Sequence, residues 1–245
     1  MTNNVRETSS EHRRSDASTR SIRTAALVAG LSLVAMAALA GFGNFVAVEG
    51  LVTPGDPAST ADDILAAEGM FRLGVLALYL VVVLDVVIAW ALMRVFDPVS
   101  RSLSRLAAWL RLAYSAVFMV AISQLAGIPD LLGGSPSAFT PEQVAVQALQ
   151  KVDGYHDIWF AGLILFAAHL VMVGYLAYKS GYVPTLLGIL IVISGLGYAF
   201  DSFGTVLSES PLEVSMVTFI GEFLLGVWLL IRGRRLTVGT DDHAI

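Results

Sequence analysis

Six stretches of this chain, near residues 24–47, 71–95, 106–128, 157–178, 184–206 and 214–231, are dominated by apolar side chains. A hydrocarbon core about 30 Å thick takes roughly 20 helical residues to cross, and each stretch approaches or exceeds that length. In lipid only a helix satisfies every backbone group within its own segment. The expected fold is therefore all-α, a polytopic membrane bundle of six transmembrane helices forming one domain over 22–232. Composition agrees: 56% of residues are hydrophobic and 14% charged, against about 25% charged in soluble domains. A water-soluble fold of this size cannot hide that surplus, so the expected partner is the lipid bilayer.

Basic residues set the orientation, because cytoplasmic loops retain Lys and Arg. Arg6, Arg13, Arg14, Arg20 and Arg23 precede the first span, and Arg94, Arg101 and Arg105 fall between the second and third. Lys179 lies between the fourth and fifth, and Arg232, Arg234 and Arg235 follow the sixth. The opposite loops carry Glu49, Asp56, Asp62, Asp63, Glu68, Asp130, Glu142, Asp153, Glu209 and Glu213. Both termini are thus expected in the cytoplasm. The formal charge of −5 averages over two oppositely charged faces. Trp90, Trp109, Tyr175, Tyr178, Tyr182 and Trp228 fall at the inner interface and Trp159 at the outer one, where amphipathic rings prefer to sit.

Residues 1–21 are polar and without apolar period, the pattern of a disordered cytoplasmic tail, and 233–245 form a second tail. The first apolar run outlasts the 7–15 residues of a signal-peptide core, so it reads as an uncleaved span. Ser180-Gly181-Tyr182-Val183-Pro184 reads as a helix stop, a tight turn and a new start. Thr60-Ala61-Asp62-Asp63 looks like a helix N-cap. Thr140-Pro141-Glu142-Gln143 is a capping box that opens a short amphipathic helix, with Val144, Ala145, Ala148, Leu149 and Val152 on one face, on the outer surface or capping the bundle.

Ionisable side chains at bilayer depth cost at least about 2.5–3.5 kcal/mol on insertion scales, so each demands an explanation. Asp85, His169 and Glu222 stand out. Asp85 is nine residues from Arg94, and His169 and Glu222 are each ten from Lys179 and Arg232. At 1.5 Å per residue all three lie about 13–15 Å from the inner interface, near the midplane. Ser215, Thr218, Glu222 and Gly226 share one stripe of the sixth helix, and small residues let helices approach. One reading is a midplane proton or cation site; the other is interhelical hydrogen bonding that specifies packing, and the second is preferred. Arg72 and Asp201 are expected to pair at the outer edge. Asp153, His156 and Asp157 gather at the mouth of the fourth span as a solvated helix start. Arg111, sharing a stripe with Ser115, is read as snorkelling to the inner interface, and Asn44 as a packing group.

With no cysteine in the chain, disulfides, thiolate metal sites and thiol catalysis are excluded. No Walker A, dinucleotide or nucleophile-elbow motif is legible, and no metal, cofactor, catalytic residue or nucleic-acid interface is expected. The Gly-Tyr pairs at 154, 174, 181 and 197 have no catalytic logic.

A set of short motifs runs through the chain: Pro54-Gly55-Asp56 with Thr60 and Ile64, Phe71-Arg72-Leu73-Gly74, Asp85, and Arg105-Leu106-Ala107-Ala108-Trp109 with Arg111-Leu112. It continues in Phe166, His169, Gly174-Tyr175-Leu176, Ser180-Gly181-Tyr182, Pro184, Leu187-Gly188, Gly195-Leu196-Gly197-Tyr198 and Asp201. In this the chain resembles a bacterial membrane family known as domain of unknown function 4386, with Asp63 and Ala167 departing from its pattern. The resemblance implies the six-helix fold and no activity. The expected function is a structural, partner-binding or small-molecule-sensing bundle. The alternatives are a proton- or cation-coupled transporter using Asp85, His169 and Glu222, and a lipid-modifying membrane enzyme.

Overall fold

The computed structural model describes residues 2–134, 138–207, 214 and 219–236. Helix α1 spans Thr2–Gly41 and passes through a π-helical stretch, Phe42–Val48, into a short 3-10 turn, Glu49–Leu51. Then follow α2 (Pro57–Ala66), α3 (Glu68–Phe96), α4 (Arg101–Ala126), α5 (Ile128–Gly133), α6 (Pro141–Lys179), α7 (Thr185–Leu207) and α8 (Ile220–Arg232). The described residues contain no strand.

Five helical stretches are long and apolar enough to cross a membrane: Thr19–Leu51, Glu68–Phe96, Arg101–Gly133, Pro141–Lys179 and Thr185–Thr205. The sixth expected span enters the description only at Phe219, so Ser215 and Thr218 of its stripe lie outside the described residues. The outward faces say what surrounds the bundle. Leu186, Ile189, Ile193, Leu196, Phe200, Phe203 and Leu207 follow one another at three- and four-residue spacing along α7, all exposed. Leu73, Leu76, Leu80, Val83, Val86 and Trp90 do the same on α3. Exposed apolar stripes of this length belong against hydrocarbon, where burial inside the protein gains nothing further.

The six long rods pack in chain order: α1 on α3, α3 on α4, α4 on α6, α6 on α7, α7 on α8, and α8 back on α1. Backbone proximity makes the closing contacts. A Cβ on Gly30 would lie 2.7 Å from the Leu230 nitrogen, and one on Gly221 2.5 Å from the Leu190 carbonyl oxygen, so glycine seats α8 against both neighbours. Gly174 and Gly188 do the same for α6 and α7, each facing the other's carbonyl at under 3 Å from a Cβ. That explains Gly174 of the Gly-Tyr pairs structurally. Gly181 turns between them at φ +70°, the left-handed region that favours glycine.

Three local expectations are corrected. Helix α1 begins at Thr2, so the polar segment expected to be irregular continues the helix, since elongating an established helix costs far less than starting one. The amphipathic segment behind the Thr140 capping box is no separate helix: α6 is continuous for 39 residues, and Ala145, Ala148 and Val152 are buried. The box itself forms, Thr140 accepting from the Gln143 N–H at 3.3 Å and donating its own N–H to the Gln143 side chain at 2.9 Å. The cap of α2 is Asp56, which accepts from the Ser59 N–H at 3.0 Å, while Thr60 is buried one turn in and bonds Thr53. Asp56 wins because Pro57 presets the first helical residue.

Candidate functional site: an arginine-centred polar knot

The buried face of α3 carries Leu78, Val82, Asp85, Ala89 and Leu92 at helical spacing, so Asp85 points into the ring by the same periodicity that buries its apolar neighbours. On α4 the buried positions Ser104, Ala107, Ala108, Arg111, Ser115 and Phe118 form the matching face. Gly162, Phe166, His169 and Val173 do so on α6, and Gly221, Glu222, Leu225 and Leu229 on α8. Each of these four helices thus places one ionisable group on a face otherwise made of small, hydroxyl and apolar residues.

These groups meet at Arg111, whose side chain is fully buried. Its Nε donates to Asp85 Oδ1 at 2.8 Å, and its Nη2 lies 2.7 Å from the same oxygen as an ion pair. Nη1 donates to Glu222 Oε1 at 2.7 Å and lies 3.1 Å from His169 Nε2. Nη2 also lies 3.3 Å from the Met36 sulfur on α1. The guanidinium plane sits over the Phe166 ring, 5.1 Å from its centroid, a cation–π contact that favours the charge where water is scarce. One side chain therefore ties α4 to α1, α3, α6 and α8.

Directionality assigns the histidine. A guanidinium has donors only, so His169 Nε2 accepts from Arg111. The proton is then on Nδ1, which donates to the Ala107 carbonyl oxygen at 2.8 Å. His169 is a neutral imidazole in this arrangement, bridging the cation to the backbone of α4.

Aromatic rings fill the space between this knot and the N-terminal half of α6. Tyr114 packs tilted against Phe166 at 4.7 Å and stacks on Phe118 at 5.8 Å. Trp159 packs on Phe118 at 5.9 Å and on Tyr155 at 5.7 Å, and donates its indole N–H to the Tyr114 hydroxyl at 3.1 Å. Tyr155 in turn donates to the side-chain oxygen of Asn44, presented by the π-helical end of α1. His156 contacts Glu49 at 2.6 Å on the rim.

Asp85, His169 and Glu222 are accordingly brought together, but around a residue assigned elsewhere from sequence. Arg111 is no snorkelling side chain. Helix α4 starts at Arg101 rather than at 106, which puts Arg111 ten residues, about 15 Å, into the helix. That is the depth of its three partners. Two signals pointed there: Ser104, Ala107, Ala108 and Ser115 flank it on one small-residue face, and two buried carboxyl groups call for a cation. The expected Arg72–Asp201 pair is also corrected. Arg72 donates to Glu68, one turn back on its own helix, at 2.7 Å and to Asp130 on α5 at 2.6 Å. Asp201 is buried and accepts the Val214 N–H at 2.7 Å. Among the described residues no group of three or more His, Cys, Asp or Glu could hold a metal.

A ring of helices with apolar outer faces and one charged knot at its centre defines a helical protein suited to a membrane. The chain belongs to a family defined only as domain of unknown function DUF4386, whose pattern matches residues 28–233. A relative in Archaeoglobus fulgidus, described as an uncharacterized protein, is 32% identical over 163 residues, which are 66% of this chain and 85% of that protein. No solved structure matches the chain.

Proposed function

We propose that this chain is a six-pass protein of the cytoplasmic membrane, both ends inside, in which the Arg111 knot locks the bundle while partner binding or small-molecule sensing falls to its surfaces. The observation that carries this is the saturation of Arg111. Nε, Nη1 and Nη2 all have acceptors inside the protein, contributed by α1, α3, α6 and α8. A guanidinium so engaged, and roofed by Phe166, Tyr114 and Trp159, is a fastening between helices. The surface best suited to a partner is the end capped by α2, α5 and the start of α6, where Asp62, Asp63, Asp130, Glu142 and Asp153 are exposed. The sixth span is α8 with the residues before it, and the orientation rests on Arg94, Arg101, Arg105 and Lys179 gathering at the other end.

The reading is tested in vesicles containing the full chain and a pH-sensitive dye. The expected result is proton and sodium leakage no faster than in protein-free vesicles. A flux that disappears in His169→Gln would replace the reading with transport. That second reading draws on two carboxyl groups facing one guanidinium in the core.

A further inference from the structure

The buried charges are used up within the knot, but the exposed ones at the end where α3, α6 and α8 finish are not. Arg94, Arg105, Lys179 and Arg232 are exposed there, and among the described residues no salt bridge includes them. Arg94 donates to a neutral group, the Ser21 hydroxyl, at 3.0 Å. Arg101 has one acid near it, Asp97 at 3.6 Å, and its side chain is 70% exposed. The opposite end differs. Its exposed Arg72 is held by Glu68 at 2.7 Å and by Asp130 at 2.6 Å, and Asp62, Asp63, Glu142 and Asp153 are exposed at that end as well.

Each unpaired cation has an aromatic companion at a fixed spacing. On α3 Trp90 lies four residues before Arg94, and on α4 Trp109 lies four after Arg105. The two helices run in opposite directions, so each tryptophan is one turn, about 6 Å, deeper in the bundle than its arginine. Tyr175 with Lys179 on α6 and Trp228 with Arg232 on α8 repeat the arrangement. Trp90, Trp109 and Tyr175 are exposed on the outer faces, and Trp228 is half-buried. Amphipathic rings settle at the interfacial level of a bilayer, so a cation one turn further out stands at the level of the phosphates. The arrangement is densest on the α3–α4 hairpin, where the turn 97–100 brings Arg94, Arg101 and Arg105 to one edge.

We propose that this end of the bundle binds the headgroups of anionic phospholipids, with its strongest site on the α3–α4 hairpin at Arg94, Arg101, Arg105, Trp90 and Trp109. The assignment deepens the membrane placement proposed above and rests on it. Charge complementarity selects the occupant. A guanidinium meets a phosphodiester through two parallel N–H donors, and a headgroup of net negative charge offsets the excess cations where a zwitterionic one brings its own ammonium. The apolar stripe that runs from Trp90 through Val86 and Val83 to Leu76 lies along the acyl chains, a contact that a free anion does not make.

Tryptophan quenching of the full chain reconstituted in phosphatidylcholine vesicles tests the assignment. Part of the lipid is replaced by phosphatidylglycerol or by phosphatidylcholine brominated on its acyl chains. The brominated phosphatidylglycerol is expected to quench as though bound about fivefold more tightly, the factor that one basic residue near a charged headgroup surface supplies. The triple variant Arg94→Gln, Arg101→Gln, Arg105→Gln should abolish the preference, and lysine at the same three positions should retain it. Should the glutamine variant fail to fold, wild-type protein in about 1 M sodium chloride decides, because screening to about 3 Å must remove the preference. Equal quenching by the two lipids, or a preference that survives neutralisation or salt, would overturn the proposal. So would displacement by inorganic phosphate where sodium chloride of equal ionic strength has no effect, since the occupant would then be a free anion. Quenching by neither lipid would overturn the membrane placement itself, which keeps the two failures distinct.

Discussion

At the residue scale the chain depends on Arg111 more than on any other polar group. Replacing it with Met would leave Asp85 and Glu222 buried without a cation. Removing one partner from a buried ion pair costs about 3–5 kcal/mol. Arg111→Met is therefore expected to lower the thermal unfolding midpoint sharply in detergent. Arg111→Lys should recover only part of the loss, because one ammonium cannot span acceptors on three helices as the guanidinium fork does. Adding Asp85→Asn and Glu222→Gln to Arg111→Met should restore much of the stability, since the orphaned carboxylates are then gone. A triple variant as unstable as Arg111→Met would show that the arginine acts through packing under Phe166 and not through charge. Asn44 makes a smaller contribution of the same kind: Asn44→Ala leaves the buried Tyr155 hydroxyl without its acceptor, a loss of about 1–3 kcal/mol measurable by the same melts.

At the element scale, α8 is the piece whose seating decides whether the knot forms, because it brings Glu222 and is anchored by glycine on two sides. A side chain at Gly221 would meet the Leu190 carbonyl and the Ser194 hydroxyl, both 2.5 Å from its Cβ. Neither backbone nor a packed helix yields cheaply, and overpacking of this kind costs about 1–3 kcal/mol. Gly221→Val is expected to push α8 from α7 and pull Glu222 from Arg111. The paired observations to make are a lower unfolding midpoint and a changed infrared carboxyl region. If the melt falls while the carboxyl bands stay put, α8 and the knot are not coupled. The glycine positions of α6 and α7 belong to the same logic, Gly174 and Gly188 each facing the other's carbonyl and Gly195 facing that of Ala167.

At the scale of the whole molecule, the closed order of the six rods puts the exposed aromatic residues Trp90, Trp109, Tyr175 and Tyr178 near the ends that carry Arg94, Arg105 and Lys179. The absence of cysteine gives an unusually clean test of orientation. A cysteine placed at the exposed Ala58 is expected to react with a membrane-impermeant thiol reagent in intact cells. One at the exposed Ser102, in the first turn of α4, should react only after the membrane is opened. The reverse pattern would invert the topology, and equal labelling of both would deny that the intervening segment crosses at all.

Sequence alone determined the long helices, since hydrocarbon leaves a chain no other way to satisfy its backbone. It also placed Asp85, His169 and Glu222 on a common level, because rise per residue is fixed and each helix carries a basic marker at one end. The capping box at Thr140 was legible too, being a contact between residues three apart. Which cation these groups face was not, because that depends on where α4 begins, and five residues moved Arg111 from a membrane edge to the centre of the core. The partners of Arg72 and Asp201 were likewise decided by rotation and neighbour order. Equal depth places two charges on one level, and only packing decides whether they look at each other.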